Sequence, residues 1–321
     1  MQLIEFPQAV PIDEYHTAIA LVANRLMENA KCLAVYQVGG LSSPGISDID
    51  LVAVYQDESA CDDNPLGCLA KSHQYLFPHP VFATSKTLFE ESQRCVFFHN
   101  YRHLRGEDLL STITTSTPKD VASVRQSANE YLVRMYVNHL VERTFGVCKV
   151  RNLLLNAKAL LYDVEFLQIK DERLVGLIQQ VIDWRVRWFE SRPTDCEIKY
   201  WHGEFWESLD AFLRLHFASN DFFLPSGIHR IGRSIEIRQG NSFQGAYRGV
   251  TLPWMPARYA RRLMSALHRV GKFTVQIPYE HGDKVPASIA NSFDYVRRAR
   301  THNERNLPAF MPLTTSLTLQ A

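Results

Sequence analysis

Two apolar runs, Leu33 to Val38 and Ile49 to Tyr55, bracket the segment Gly39-Gly40-Leu41-Ser42-Ser43-Pro44-Gly45-Ile46-Ser47-Asp48. β-Branched and large apolar residues dominate both runs, which read as buried strands. Between them the chain turns through Gly and Ser. Asp48 and Asp50 then stand two apart at the opening of the second run. Side chains alternate across a pleated strand, so the two carboxylates share a face while Ile49 points into the core. Neighbouring carboxylates repel and call for a cation. A hard divalent ion, Mg2+ or Mn2+, carrying waters and a substrate's phosphates, supplies it.

The turn also suits phosphate. Gly39 and Gly40 let backbone N–H groups converge without obstruction, and Ser42, Ser43 and Ser47 add hydroxyl donors. Gly40 and Gly45 have the separation of a P-loop, yet Ile46 stands where that motif requires Lys, so an ATPase of that type is excluded. Gly-Gly, a short Ser-rich loop and Ser-Asp-Ile-Asp-Leu together resemble the signature of the DNA polymerase β-like nucleotidyltransferase superfamily, which includes the antibiotic and minimal nucleotidyltransferases. The resemblance covers about the first 110 residues, and its specific part is Gly39 to Leu51. It implies transfer of a nucleoside monophosphate from an NTP, ATP first, with Asp48 and Asp50 as metal ligands and catalytic groups. Gly39 and Gly40 would hold the triphosphate.

The chain departs from that family in places. Members often carry Gly-Ser where Gly39-Gly40 stands, and the loop before the acids is short. Active members add a third carboxylate on a following strand. Here the next strand candidate, Pro80 to Thr84, holds no acid. His79 lies near the expected place and serves either as a base, if unprotonated, or merely as a loop histidine between two prolines. Glu90, Glu91, Glu107 and Asp108 are the other acids nearby, and none sits in a strand pattern.

A chain of 321 residues holds two or three domains, and its 46% hydrophobic content is ordinary for a globular protein. The formal net charge of +1 gives no global argument for nucleic acid or a membrane. The distribution is uneven: residues 1–110 carry 14 acids against 7 Lys plus Arg, whereas residues 227–272 carry nine basic residues against Glu236 alone. The six cysteines show neither a C-x-x-C pair nor zinc spacing, as suits a reducing compartment. With no signal-peptide pattern at Met1 to Glu5 and no membrane-length apolar stretch, a cytoplasmic protein without a membrane partner is expected.

The expected class is α+β: a polymerase β-like domain with a mixed sheet over 1–115, a helical bundle over 118–220, and a small C-terminal mixed α/β region over 221–321. The first part reads as a helix from Ile12 to Ala30, strands at 33–38 and 49–56, a short helix at 66–74, a strand near 80–84 and a helix from Lys86 to about Phe97. Phe98 to Leu110 reads as a closing turn whose Arg and Tyr either face a nucleotide or cap a helix end. Ser111 to Thr117 is a linker. Helical periodicity then runs to Asn220, with breaks near Gly146, Lys170-Asp171 and Arg192-Pro193-Thr194, giving four helices. Trp184, Trp188, Trp201 and Trp206 share helix faces and read as core. Arg151 and Lys158, seven apart on one face, either are solvated or reach a triphosphate, as basic side chains of an added helical domain do in related enzymes. Arg134 and His139 fit the Arg-x4-His pattern of a helical ribonuclease family, a coincidence expected among 12 histidines, and no nuclease is assigned. After Asp221, hairpin strands at 228–238 and 246–252, a basic helix over 256–269, a strand at 273–277 and a helix over 285–300 are expected.

Two function classes follow. One is a metal-dependent nucleotidyltransferase acting on a small-molecule hydroxyl, with RNA or protein acceptors as alternatives. The other is a nucleotide- or partner-binding protein of the same fold, its chemistry impaired by the missing third acid.

Overall fold

The computed structural model describes all residues except 96–99, 112–119, 228, 233, 252–255, 257–258, 260–270 and 315–321. The elements run β1 (Gln2–Ile4), α1 (Ile12–Met27), β2 (Cys32–Val38), β3 (Asp50–Tyr55), α2 (Lys71–Gln74), β4 (Phe82–Ser85) and α3 (Lys86–Cys95). They continue with β5 (Arg102–Gly106), α4 (Val121–Phe145), β6 (Val147–Lys149), α5 (Val150–Phe166), α6 (Glu172–Arg187) and α7 (Asp195–Ser219). The C-terminal third holds β7 (His229–Gly232), β8 (Ile235–Gln239), β9 (Gln244–Gly249), β10 (Gly271–Ile277), α8 (Ala287–Asn306) and β11 (Met311–Pro312). The protein is thus mixed α+β with mixed sheets. Its contacts gather it into two compact units, Gln8–Ser123 with Ala287–Thr315, and Met1–Pro7 with Val124–Pro286.

The first unit is built on a five-stranded sheet in the order β11-β4-β3-β2-β5. β2 and β3 are antiparallel, Val38 opposite Asp50 and Tyr36 opposite Val52, whereas β4 runs parallel to β3. Both faces are covered, so the strand sequences are apolar almost throughout. On one face Leu51, Ala53 and Tyr55 pack against Tyr15, Ala18, Ile19, Val22 and Leu26 of α1. On the other, Val52 and Val54 meet Ala34, Tyr36, Phe89 and Leu109. These helices and strands fall where the periodicity puts them.

Two parts differ from expectation. Residues 102–106, read as part of a closing turn, form strand β5 on the free side of β2. Its residues are mostly exposed, so an edge strand of Arg, His and Gly lacks the alternation that marks a half-buried one. The segment 287–315, expected in a C-terminal region, packs within this unit instead. Arg298 makes a two-pronged ion pair with Glu91, at 2.7 and 2.8 Å. The Asn303 amide donates to the Ala83 carbonyl at 3.0 Å, and β11 adds a parallel edge to β4.

The second unit holds α4 to α7, with breaks where Gly146, Lys170-Asp171 and 192–194 placed them. Asp171 caps α6 through the Leu174 N–H, and Thr194 with Glu197 forms a capping box at α7. Trp184, Trp188 and Trp201 are buried, and Trp201 stacks on Phe205 with centroids 4.7 Å apart. Packing explains those three. β7 to β10 make a second sheet in the order β7-β8-β10-β9, and β1 pairs with β6. The expected helix over 256–269, the linker at 112–117 and the bases Arg233, Arg258, Arg261, Arg262 and Arg269 lie outside the described residues. All six cysteines are free. Among the described residues no helix is long and apolar enough to cross a membrane.

Two substitutions test this packing. Gly106 has φ +80°, and a Cβ there would stand 2.1 Å from the Leu33 carbonyl oxygen. Gly106→Ala is expected to cost about 2–4 kcal/mol in chemical denaturation. Asp163 on α5 is 4% exposed, and among the described residues its Oδ2 has no hydrogen-bond partner. Burial pushes its carboxyl up to about 8. The unfolded chain releases that proton near the ordinary carboxylate value, so the group's contribution turns progressively unfavourable from about pH 4 to pH 8. Asp163→Asn is expected to stabilise the protein at pH 8 by about 1–3 kcal/mol and to flatten that part of the stability–pH curve.

Candidate functional site

The loop joining β2 to β3 is held in shape by two tyrosines. Gly39, just past the end of β2, has φ +73°, and Gly45 has φ +84°, both in the left-handed region that glycine adopts freely. Residues 43–47 form a single turn, with the Ile46 and Ser47 amides donating to the Ser43 carbonyl at 3.0 and 2.8 Å. Inside it sits the Tyr15 hydroxyl of α1, fully buried, accepting from the Gly45 N–H at 2.8 Å and donating to the Ser47 carbonyl at 2.7 Å. Tyr75 donates to the Gly45 carbonyl at 2.8 Å and accepts from the Gln8 N–H at 2.9 Å. Ile46 and Ile49 are buried beneath the loop. The Ile49 amide donates to the Leu76 carbonyl at 3.0 Å, fixing the entry to β3.

This support delivers the carboxylates together. β3 begins at Asp50, so Asp48 and Ile49 precede the strand, but the alternation already holds: Ile49 is buried, Asp48 and Asp50 are half-buried. Ligand atoms of Asp48, Asp50 and His79 all lie within 4.8 Å of one another. His79 Nε2 is 2.9 Å from Asp50 Oδ1, and Nδ1 is 2.8 Å from the Pro80 carbonyl oxygen. A carbonyl oxygen only accepts, so Nδ1 carries a proton; Nε2 faces a carboxylate. Both contacts favour the protonated ring. Burial pulls its pKa down, but the hydrogen bonds to Asp50 and Pro80 and the charges of Asp50 and Asp48 outweigh that and raise it.

Among the described residues no third carboxylate joins the cluster. β4 contains none. Glu91 is taken by Arg298, Asp108 accepts from the Tyr36 hydroxyl at 3.2 Å, and Glu90 and Glu107 are exposed elsewhere.

The other sequence-named residues divide. Gly39 and Gly40 are exposed with open space beside them, and Ser42 is exposed. Ser43 is half-buried. Ser47 is buried, and its Oγ accepts from the Ser43 N–H at 3.2 Å, so this hydroxyl braces the turn from within. Tyr101 packs edge-on against Tyr36 and Phe89 and belongs to the core below the sheet. Arg151 and Lys158 lie on α5 in the other unit, Arg151 buried and Lys158 half-buried.

Sequence reasoning missed Tyr15 and Tyr75. The available signal was a tyrosine on the apolar stripe of α1, a position whose hydroxyl needs a partner once buried. No known family model matches the chain, and no curated protein matches it. Tyr15→Phe removes the hydrogen bonds to the Gly45 N–H and the Ser47 carbonyl and is expected to cost about 1–3 kcal/mol. Limited proteolysis, read by mass spectrometry, should then cut within 41–47 faster than in the parent protein.

Proposed function

We propose that this protein is a polymerase β-like nucleotidyltransferase, moving a nucleoside monophosphate from an NTP, ATP first, to an acceptor hydroxyl. One observation carries the reading: Asp48 and Asp50 converge at the mouth of a glycine-rich hairpin in which Gly39, Gly40 and Ser42 are exposed. The donor set fits Mg2+ or Mn2+, since two carboxylates within reach of one ion are hard oxygen ligands that leave room for waters and phosphate oxygens. When bound, the metal neutralises phosphate charge and polarises the acceptor oxygen.

The chain's own residues supply the rest. Asp48 and Asp50 fix where the positive charge sits. Gly39 and Gly40 present unobstructed backbone to the triphosphate, with Ser42 and Ser43 offering hydroxyls, so the α-phosphorus is held for in-line attack. Ser47, Tyr15 and Tyr75 keep the loop rigid and act by positioning. His79 bonds one oxygen of Asp50 and leaves the carboxylate's other oxygen for the cation. A small-molecule acceptor is favoured over RNA or protein.

His79 in the place of a third carboxylate favours a second reading, in which the fold binds nucleotide and transfers slowly or not at all. One assay separates the two. Incubation with each NTP and Mg2+ or Mn2+ should release pyrophosphate, and Asp48→Asn or Asp50→Asn should reduce that release by at least ~100-fold with the fold intact by circular dichroism. Nucleotide binding without pyrophosphate would establish the second reading. Unchanged turnover in both variants would overturn the metal assignment.

A further inference from the structure

His139, which the sequence paired with Arg134, has a different set of neighbours. Arg134 is exposed and His139 buried, on different sides of α4. Helices α4 and α7 run antiparallel, as their bonded pairs show: Asn129 with His216, Tyr136 with Asp210, His139 with His202. His139 and Glu142, three apart, share the face of α4 that meets His202. The three donor atoms form a tight triangle. His139 Nδ1 to His202 Nε2 is 3.1 Å, His202 Nε2 to Glu142 Oε2 is 3.0 Å, and His139 Nδ1 to Glu142 Oε2 is 3.7 Å.

Three donors on a tetrahedral Zn2+ at ~2.0–2.1 Å stand about 3.3–3.4 Å apart, the middle of that range of edges. Two imidazoles and one carboxylate are the donor types that borderline divalent transition metals take. We propose that His139, Glu142 and His202 form a mononuclear site for such a metal, Zn2+ foremost, lying apart from the Asp48–Asp50 cluster and of a different chemical class.

The surroundings suit an ion. His202 is fully buried, and His139 and Glu142 are nearly so. The second oxygen of Glu142 accepts from the Lys149 N–H at 3.1 Å, which orients the carboxylate from behind. A metal at this triangle would take His202 through Nε2. With metal bound, that ring carries its proton on Nδ1.

The triangle is not closed off. His139 and Glu142 line a cavity of about 250 Å³ whose wall also carries Asn138, Asn152 and Asn156. A structural zinc is closed by four protein ligands, whereas three ligands and an open side leave a position for water or a small polar ligand. Among the described residues His202 Nδ1 has no hydrogen-bond partner. One outer-shell support is therefore missing, and affinity is expected some ~10–100-fold below that of a fully supported site.

The test uses the tag-free full-length chain titrated with Co2+ in excess Mg2+, followed by the visible d–d absorption of a four-coordinate complex. One equivalent of Co2+ should bind, be displaced by Zn2+, and persist in the Asp48→Asn/Asp50→Asn double variant. Glu142→Gln, which keeps the side-chain volume, should weaken binding more than ~10-fold, and His139→Gln should do the same. Should either variant misfold, the parent protein still decides, because Zn2+ binding to the native state must raise its unfolding midpoint. Absence of a d–d band in the parent, a band unchanged in folded Glu142→Gln and His139→Gln, or a band lost in the Asp48/Asp50 variant overturns the proposal.

Discussion

The pairing of β2 with β3 governs the first unit. The two strands lie at the centre of a sheet covered on both faces, and their register sets Val38 opposite Asp50. A slip of one residue would turn Leu51, Ala53 and Tyr55 toward the other core and carry Asp50 inward. Burying the Asp50 carboxylate opposes that slip, so the cost of desolvating a charge keeps the two carboxylates at the strand's mouth.

The electrostatic consequence is specific. Asp48 and Asp50 are held together by a backbone that Tyr15 and Tyr75 stiffen, and the His79 ring lies 2.9 Å from Asp50, where its protonated form offsets part of their repulsion. That arrangement leaves them able to take a metal, because His79 engages one oxygen of one aspartate. It also explains how the fold tolerates a site without a third acid, and why binding without transfer stands as the competing reading.

Much of the fold was readable from residue pattern. α1, β2, β3, β4, α3 and the four helices from α4 to α7 follow from apolar periodicity, caps and breaks that are local properties. β5 was not readable, because an exposed edge strand of Arg102, His103 and Arg105 gains its identity from its partner β2 rather than from its own composition. Nor was the return of 287–315. α8 joins the first unit through Tyr295, Arg298 and Asn303, contacts separated by some two hundred residues from their partners and carrying no local signature.

The sequence by itself determined that Asp48 and Asp50 would flank a buried Ile49, since an apolar residue between two carboxylates is the one the core takes. Only the tertiary structure decided that His79 completes that cluster, that Ser47 is buried, and that His139 and Glu142 meet His202 across two antiparallel helices. Those outcomes depend on which elements pack together, and packing is a relation between distant segments that no single window of residues records.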